Sequence, residues 1–251
     1  ILRFHAVYWP AMLMSAGIDL PRKVFGHGFL TRDGKKMGKS LGNILDPQKL
    51  IEEYGIDAVR WYLLRDIEFG QDGDFQTKRF IEIVNNDLAN SIGNLLNRSS
   101  SMSRKWFENK IPPGNVIKTN NFMKDICLNS IKEYKIAFSN LDFKTSSELI
   151  LYIATKANQY LNEQEPWKKI KDNDQKSNVG YVLYNVLESV RIIGLLLKPI
   201  VPNLSEKILQ QLGIQNISEW HNQLQWGLLD DDSDIPSPIP VMSKLEFNDN
   251  I

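Results

Sequence analysis

Over most of the chain, apolar positions return at helical intervals. Ile81, Val84, Leu88, Ile92 and Leu95 are spaced 3, 4, 4 and 3 residues apart, one apolar face of a single long helix. Phe122, Ile126, Ile131, Tyr134 and Phe138 predict a second helix. A third runs from near Asp142 to near Glu163 and stops short of Pro166, because a residue before proline is driven out of the α region. Val179, Val182, Val186, Val190, Ile193 and Leu197 form the cleanest stripe, closed by Pro199 and Pro202. A last helix covers 204–212, ahead of Gly213. The tail beyond is acidic and proline-rich, with a strand-like alternation over 241–247.

The first 73 residues read differently. Residues 1–17 predict a helix on Phe4, Tyr8 and Ala11 or Met12, with Pro10 as a possible kink and Gly17 as the stop. Residues 23–31 predict a strand, and Asp33-Gly34 a tight turn. Asp46 and Pro47 mark a helix start as N-cap and first residue, with Gly55 as its stop. Asp57 is expected to cap a second short helix through about Arg65. The chain therefore divides near residue 73 into a mixed α/β part and a bundle of about five helices.

Composition narrows the function classes. A length of 251 residues with 42% hydrophobic content supports one or two packed domains. The single cysteine, Cys127, can form neither an internal disulfide nor a Cys-rich zinc knuckle. Thirty basic residues balance thirty acidic ones, which argues against a nonspecific nucleic-acid coat while leaving local basic faces open. The longest unbroken apolar runs fall far short of the 18 or so residues needed to span a bilayer, so no membrane partner is expected.

One basic cluster stands out. Arg32, Lys35, Lys36 and Lys39 follow the predicted strand. Lys36 and Lys39 sit three residues apart in a loop punctuated by glycine, where two ammonium groups and backbone N–H groups can converge on a polyanion. A solvated hairpin is the plain alternative. The string Lys36-Met37-Gly38-Lys39-Ser40 resembles the Lys-Met-Ser-Lys-Ser signature of class I aminoacyl-tRNA synthetases.

Within that class the chain resembles the methionyl-tRNA synthetases. Residues 4–13 (Phe-His-Ala-Val-Tyr-Trp-Pro-Ala-Met-Leu) are similar to the family's helix beside the methionine pocket, and 24–31 to the strand leading into the signature loop. Asn94 and Arg98 match an Asn-x-x-x-Arg on the anticodon helix, and 162–167 an Asn-Glu-x-x-Pro-Trp element. Gly38 departs from the usual serine. The family's His-Ile-Gly-His signature and its inserted, often zinc-bearing, domain have no counterpart in these residues, so no zinc site is expected here.

The resemblance implies a mainly α chain: the remnant of a class I Rossmann α/β catalytic domain (1–45), a connecting segment that leans toward the tRNA stem (46–73), and an α-helical-bundle anticodon-binding domain with its acidic tail (74–251). It implies a methionine–tRNA ligase that makes methionyl-adenylate from methionine and ATP, with Mg2+ accompanying the ATP, and passes methionine to tRNA(Met). Lys36 and Lys39 would be catalytic. His27, Lys36, Met37, Gly38, Lys39 and Ser40 would bind ATP, and Ile1, Phe4, His5 and Tyr8 methionine. Asn90, Asn94 and Arg98, spaced i, i+4, i+8, would form a polar stripe that reads the anticodon, with Trp167 stacking on a base and Lys168, Lys169 and Lys171 meeting phosphates. This chain alone is expected to be inactive, being the C-terminal portion of such an enzyme, and its compartment is expected to be the cytoplasm. A tRNA-binding module without catalysis and a different class I synthetase are the alternatives.

Overall fold

The computed structural model describes residues 1–114, 121–215 and 219–247. The first helix begins as a π turn, Phe4–Tyr8, and continues as α1, Trp9–Ser15. Proline at position 10 has no N–H to give the ladder, and the helix adjusts one turn earlier, with the Trp9 N–H reaching back five residues to the Phe4 carbonyl. Gly17 ends it at φ +66°.

The predicted strand over 23–31 is realised only as β1, Leu30–Arg32. A strand needs a partner ladder, and the partners found begin at residue 30. β1 pairs antiparallel with β2 (Lys35–Lys36) and parallel with β3 (Gly73–Phe75), giving the order β2-β1-β3. Asp33 and Gly34 both take positive φ, 50° and 72°, as a two-residue hairpin turn requires. Asp74 fastens this hairpin to β3. Its carboxylate accepts from Gln76 Nε2 at 2.8 Å, Thr31 Oγ1 at 2.7 Å and the Gly34 N–H at 2.8 Å. These bonds hold its pKa below the ordinary 3.8. The stabilisation is complete above that value and is lost as pH falls through the lower, folded one. An NMR titration of the Gly34 amide should therefore show an inflection below 3.8, and Asp74→Asn should abolish it.

α2 (Pro47–Tyr54) starts as its sequence predicts, with Asp46 Oδ1 accepting from the Gln48 N–H at 2.9 Å and Gly55 closing it at φ +83°. Asp57 does not cap its own helix, α3 (Ile56–Arg65). It lies inside the first turn, buried, and its Oδ2 accepts from the backbone N–H of Leu204, 147 residues away, in the first turn of the helix Pro202–Gln210. Tertiary packing has taken the carboxylate that local chemistry would have used. Three residues on, Arg60 donates to the carbonyls of Pro199 and Ile200, at 2.9 and 2.6 Å.

The bundle follows. α4 (Thr77–Val84), a nine-residue π run (Asn85–Gly93) and α5 (Asn94–Trp106) form one continuous helical rod. It ends before the Pro-Pro-Gly sequence, at Glu108 and Asn109, both at positive φ. α6 (Phe122–Ser139) is capped by Asn121, and α7 (Phe143–Gln164) by Asp142. α8 (Pro166–Lys169), α9 (Lys176–Leu197) and α10 (Pro202–Gln210) complete the described helices.

α9 is the axis of the bundle. It is more apolar than its unbroken runs suggest: the stretch Asn173–Leu197 is long and apolar enough to cross a membrane by composition, yet its most apolar 18-residue window is wholly buried by the rest of the chain. Sequence periodicity shows one stripe, but from Val179 to Leu197 every residue is buried. One contiguous core runs from Leu50, Tyr54, Trp61 and Tyr62 through the bundle to Leu229 and Val241. The strand-like end at 241–247 forms no strand.

Candidate functional site

Two regions gather the residues singled out from sequence. The first lies where α5, α7 and α8 meet. Arg98 projects from α5 and donates to Asn162 Oδ1 of α7 at 3.0 Å. Its guanidinium carbon lies 5.9 Å from the centroid of the Trp167 ring. The local sequence forces that meeting. Pro166 drives the preceding residue out of the α region, and Glu165 takes φ +44°. The chain turns there and restarts at Pro166 as the short α8, with the Lys168 ammonium 2.6 Å from Glu165 Oε1 across the turn. Pro166 is buried while Trp167 keeps 36% of its surface. The indole thus has one side fixed and one side open, with a cation close to its ring. A nucleobase can stack on such a plane, and the arginine and amides beside it can reach base edges or phosphate.

Asn94 is exposed on the first turn of α5, on the way to Arg98. Asn90 lies in the π run, half-buried, and donates to Asn86 Oδ1 at 3.4 Å. In that run the ladder partner is five residues back, as the Asn94 N–H to Ala89 carbonyl bond shows. Asn94 and Arg98, four residues apart on the α-helical α5, share a face, and Asn90 precedes them on the π run. Asn162, which contacts Arg98, was visible in the sequence only as part of the Asn-Glu-x-x-Pro-Trp string. Asn158 was not singled out, yet its amide donates to the Ser91 carbonyl at 3.4 Å and ties α7 to the π run.

The second region is the basic loop. Lys36 ends β2 and Lys39 opens a short 3-10 turn that closes on Gly42 at φ +63°. Asn43 cinches the loop: its Oδ1 accepts from the Gly38 N–H at 2.9 Å and its amide donates to the Lys36 carbonyl at 3.2 Å. Met37 is half-buried, its sulfur 3.4 Å from the Leu45 N–H. Lys36, Lys39 and Ser40 are exposed, and neither ammonium has an ion-pair partner among the described residues. Gly38 adopts φ −154°, an extended conformation open to any residue, and a Cβ there would first meet Leu41 at an ordinary 3.6 Å. Its lack of a side chain is not required by this backbone.

His27 lies two residues from Phe25, and both rings stack on Phe69, at centroid distances of 6.0 and 5.0 Å. Just after His27 the backbone passes so close to Gln71 that a Cβ on Gly28 would fall 2.2 Å from its carbonyl, so only glycine fits. Phe4, His5 and Tyr8 are exposed on the first helix, and Ile1 is exposed just before it. Phe4 and Tyr8 meet edge to face at 5.3 Å, and His5 Nδ1 lies 3.0 Å from the Ile1 carbonyl. An open cleft of about 410 Å³ lies elsewhere, bounded by Asp66, Glu68, Asp72, Asp74, Arg79 and Lys144. Several of its carboxylates are already engaged, Asp66 with Arg79 and Asp72 with the Phe29 N–H.

A lysine-bearing loop of signature type and a helical bundle with an arginine–tryptophan patch point to the class I aminoacyl-tRNA synthetases. The family model for class I tRNA synthetases (M) matches residues 1–100, and that for the anticodon binding domain of methionyl tRNA ligase matches 111–240. The chain belongs to the methionyl-tRNA ligase family. The methionine–tRNA ligase of Nostoc sp. is 45% identical over 260 residues, covering 100% of this chain and 49% of that protein. The chloroplastic/mitochondrial ligase of Arabidopsis thaliana is 42% identical, covering 99% and 41%. Among solved structures, Mycobacterium tuberculosis methionyl-tRNA synthetase in complex with methionyl-adenylate superposes with a TM-score of 0.87 at 37% identity, covering 96% of this chain and 48% of that one. The chain spans about half the length of the relatives it matches.

Proposed function

We propose that this chain supplies the signature loop and the anticodon-reading bundle of a methionine–tRNA ligase acting on tRNA(Met), in the cytoplasm. In that reaction the methionine carboxylate attacks the α-phosphate of ATP and pyrophosphate leaves. Methionine then passes to the tRNA 3′ end. Lys36 and Lys39 carry positive charge to the phosphates as negative charge builds on the leaving oxygens. Mg2+ would arrive with the triphosphate as part of the substrate. No group of three or more His, Cys, Asp or Glu side chains gathers among the described residues, so none of this chain's side chains is assigned to it.

The observation that carries the reading is the convergence of Arg98, Asn162 and Trp167 from three helices onto one half-open patch. Base stacking on an aromatic plane is worth about 1–3 kcal/mol. Trp167→Ala should therefore weaken binding of an anticodon hairpin by roughly 5- to 150-fold. Arg98→Ala should relax discrimination between CAU and altered loops if the guanidinium reads a base edge. If it meets phosphate instead, all loops should weaken equally and the salt dependence should become shallower. Titration of RNA hairpins at two salt concentrations is the measurement. A Trp167→Ala variant that melts at lower temperature yet binds the hairpin as before would show the indole to be packing only.

A further inference from the structure

The tail segment whose alternation resembles a strand has another role. It has three anchor points, and the last two fall along one helix. Gln211, just beyond α10, donates its side-chain amide to the Ile239 carbonyl. Val241 is buried, with its Cγ2 3.8 Å from where a Cβ on Gly93 would stand. At residue 245 the backbone makes a two-bond pair with one side chain: the Leu245 N–H donates to Asn85 Oδ1 at 2.7 Å, and Asn85 Nδ2 donates to the Leu245 carbonyl at 2.9 Å.

Asn85 and Gly93 are the first and last residues of the π run. The tail thus runs antiparallel along the run and is fixed at both of its ends.

A π run this long is unusual and needs support from outside its own ladder. Its conformation also has a consequence further on. Each π turn takes up one residue more than an α turn, so a change of form rotates everything beyond it by about 100° per residue regained. What lies immediately beyond is α5, with Asn94 and Arg98.

We propose that the strap 239–245, fastened by Asn85, is a positioning device for the Arg98 patch: it holds 85–93 in the π form and so sets the rotation at which α5 presents Asn94 and Arg98 beside Trp167. Asn85 touches no RNA and acts through the helix. This rests on the anticodon reading of that patch.

The test uses the whole chain, an RNA hairpin with a CAU loop, and backbone amide exchange. Asn85→Ala removes both bonds to Leu245 and should speed exchange of the amides of 89–98. It should lower hairpin affinity by about tenfold at a temperature well below melting. In an Arg98→Ala background the same change should cost less than about twofold more, because the group it positions is already gone. Asn85→Asp keeps the acceptor for the Leu245 N–H and should fall between. Unaltered exchange over 89–98 overturns the proposal. So does a lowered melting temperature with wild-type affinity, or full additivity with Arg98→Ala. If the unmodified chain fails to bind the hairpin, the anticodon reading is lost, and exchange alone then decides whether the strap holds the π run.

Discussion

Arg191→Met should destabilise the chain by about 3–5 kcal/mol. Glu188 and Arg191 form an ion pair inside α9, at 0% and 2% side-chain exposure, with two N–O bonds of 2.7 and 2.6 Å. Each also holds the 223–229 loop. Arg191 donates to the carbonyls of Gln223 and Gln225, and Glu188 accepts from the N–H groups of Gly227, Leu228 and Leu229. Removing the guanidinium leaves a carboxylate in the core without its counter-ion and two carbonyls without a donor. For a chain of this size the melting temperature should fall by roughly 6–20 °C. Urea denaturation of wild type and variant is the check. A loss below about 1 kcal/mol would mean that water reaches the pair.

Lys39→Ala, in a ligase that carries this half, should slow adenylate formation by about 10²–10³-fold while leaving methionine affinity nearly unchanged. The ammonium is exposed, with no carboxylate partner among the described residues, at the start of a 3-10 turn cinched from behind by Asn43. Charge placed there in advance stabilises phosphate oxygens most when they are most negative, in the transition state. Gly38→Ser should change the rate by less than about tenfold, since the backbone is extended and a Cβ meets only Leu41 at 3.6 Å. Single-turnover adenylation with each variant separates the two. An intact rate in Lys39→Ala would remove the loop from the chemistry.

Much of this is legible in the amino-acid sequence. The caps at Asp46, Asn121 and Asp142 act through neighbours two or three residues away, and Asp46 and Asp142 mark their helix starts in the sequence. The Asp33-Gly34 turn is equally local. Arg98 and Trp167 could be named as a pair because each sits in a short string with a strong family likeness. What could not be read depends on distant partners. Asp57 looks like a local cap until Leu204 arrives beside it. Residues 23–29 have strand chemistry but no ladder to join. The π run could not be foreseen because nothing in Asn-Asn-Asp-Leu-Ala-Asn-Ser-Ile-Gly marks a change of period, and the tail bonded to it lies some 150 residues on. The full burial of α9 is likewise set by its neighbours, not by its stripe.

The three bonds that α3 makes to the corner between α9 and α10 bear on how the bundle can be handled apart from its neighbours. Arg60 covers the carbonyls of Pro199 and Ile200, and Asp57 covers an N–H at the next helix start, so one short helix neutralises both sides of a single bend. A polypeptide begun at residue 74 would bare that bend, along with the core surface that Leu50, Tyr54, Trp61 and Tyr62 now cover. The smallest unit able to carry the Arg98–Trp167 patch as a stable, separately produced piece accordingly starts upstream of Pro47. The segment that connects it to the Lys36–Lys39 loop is part of its own fold.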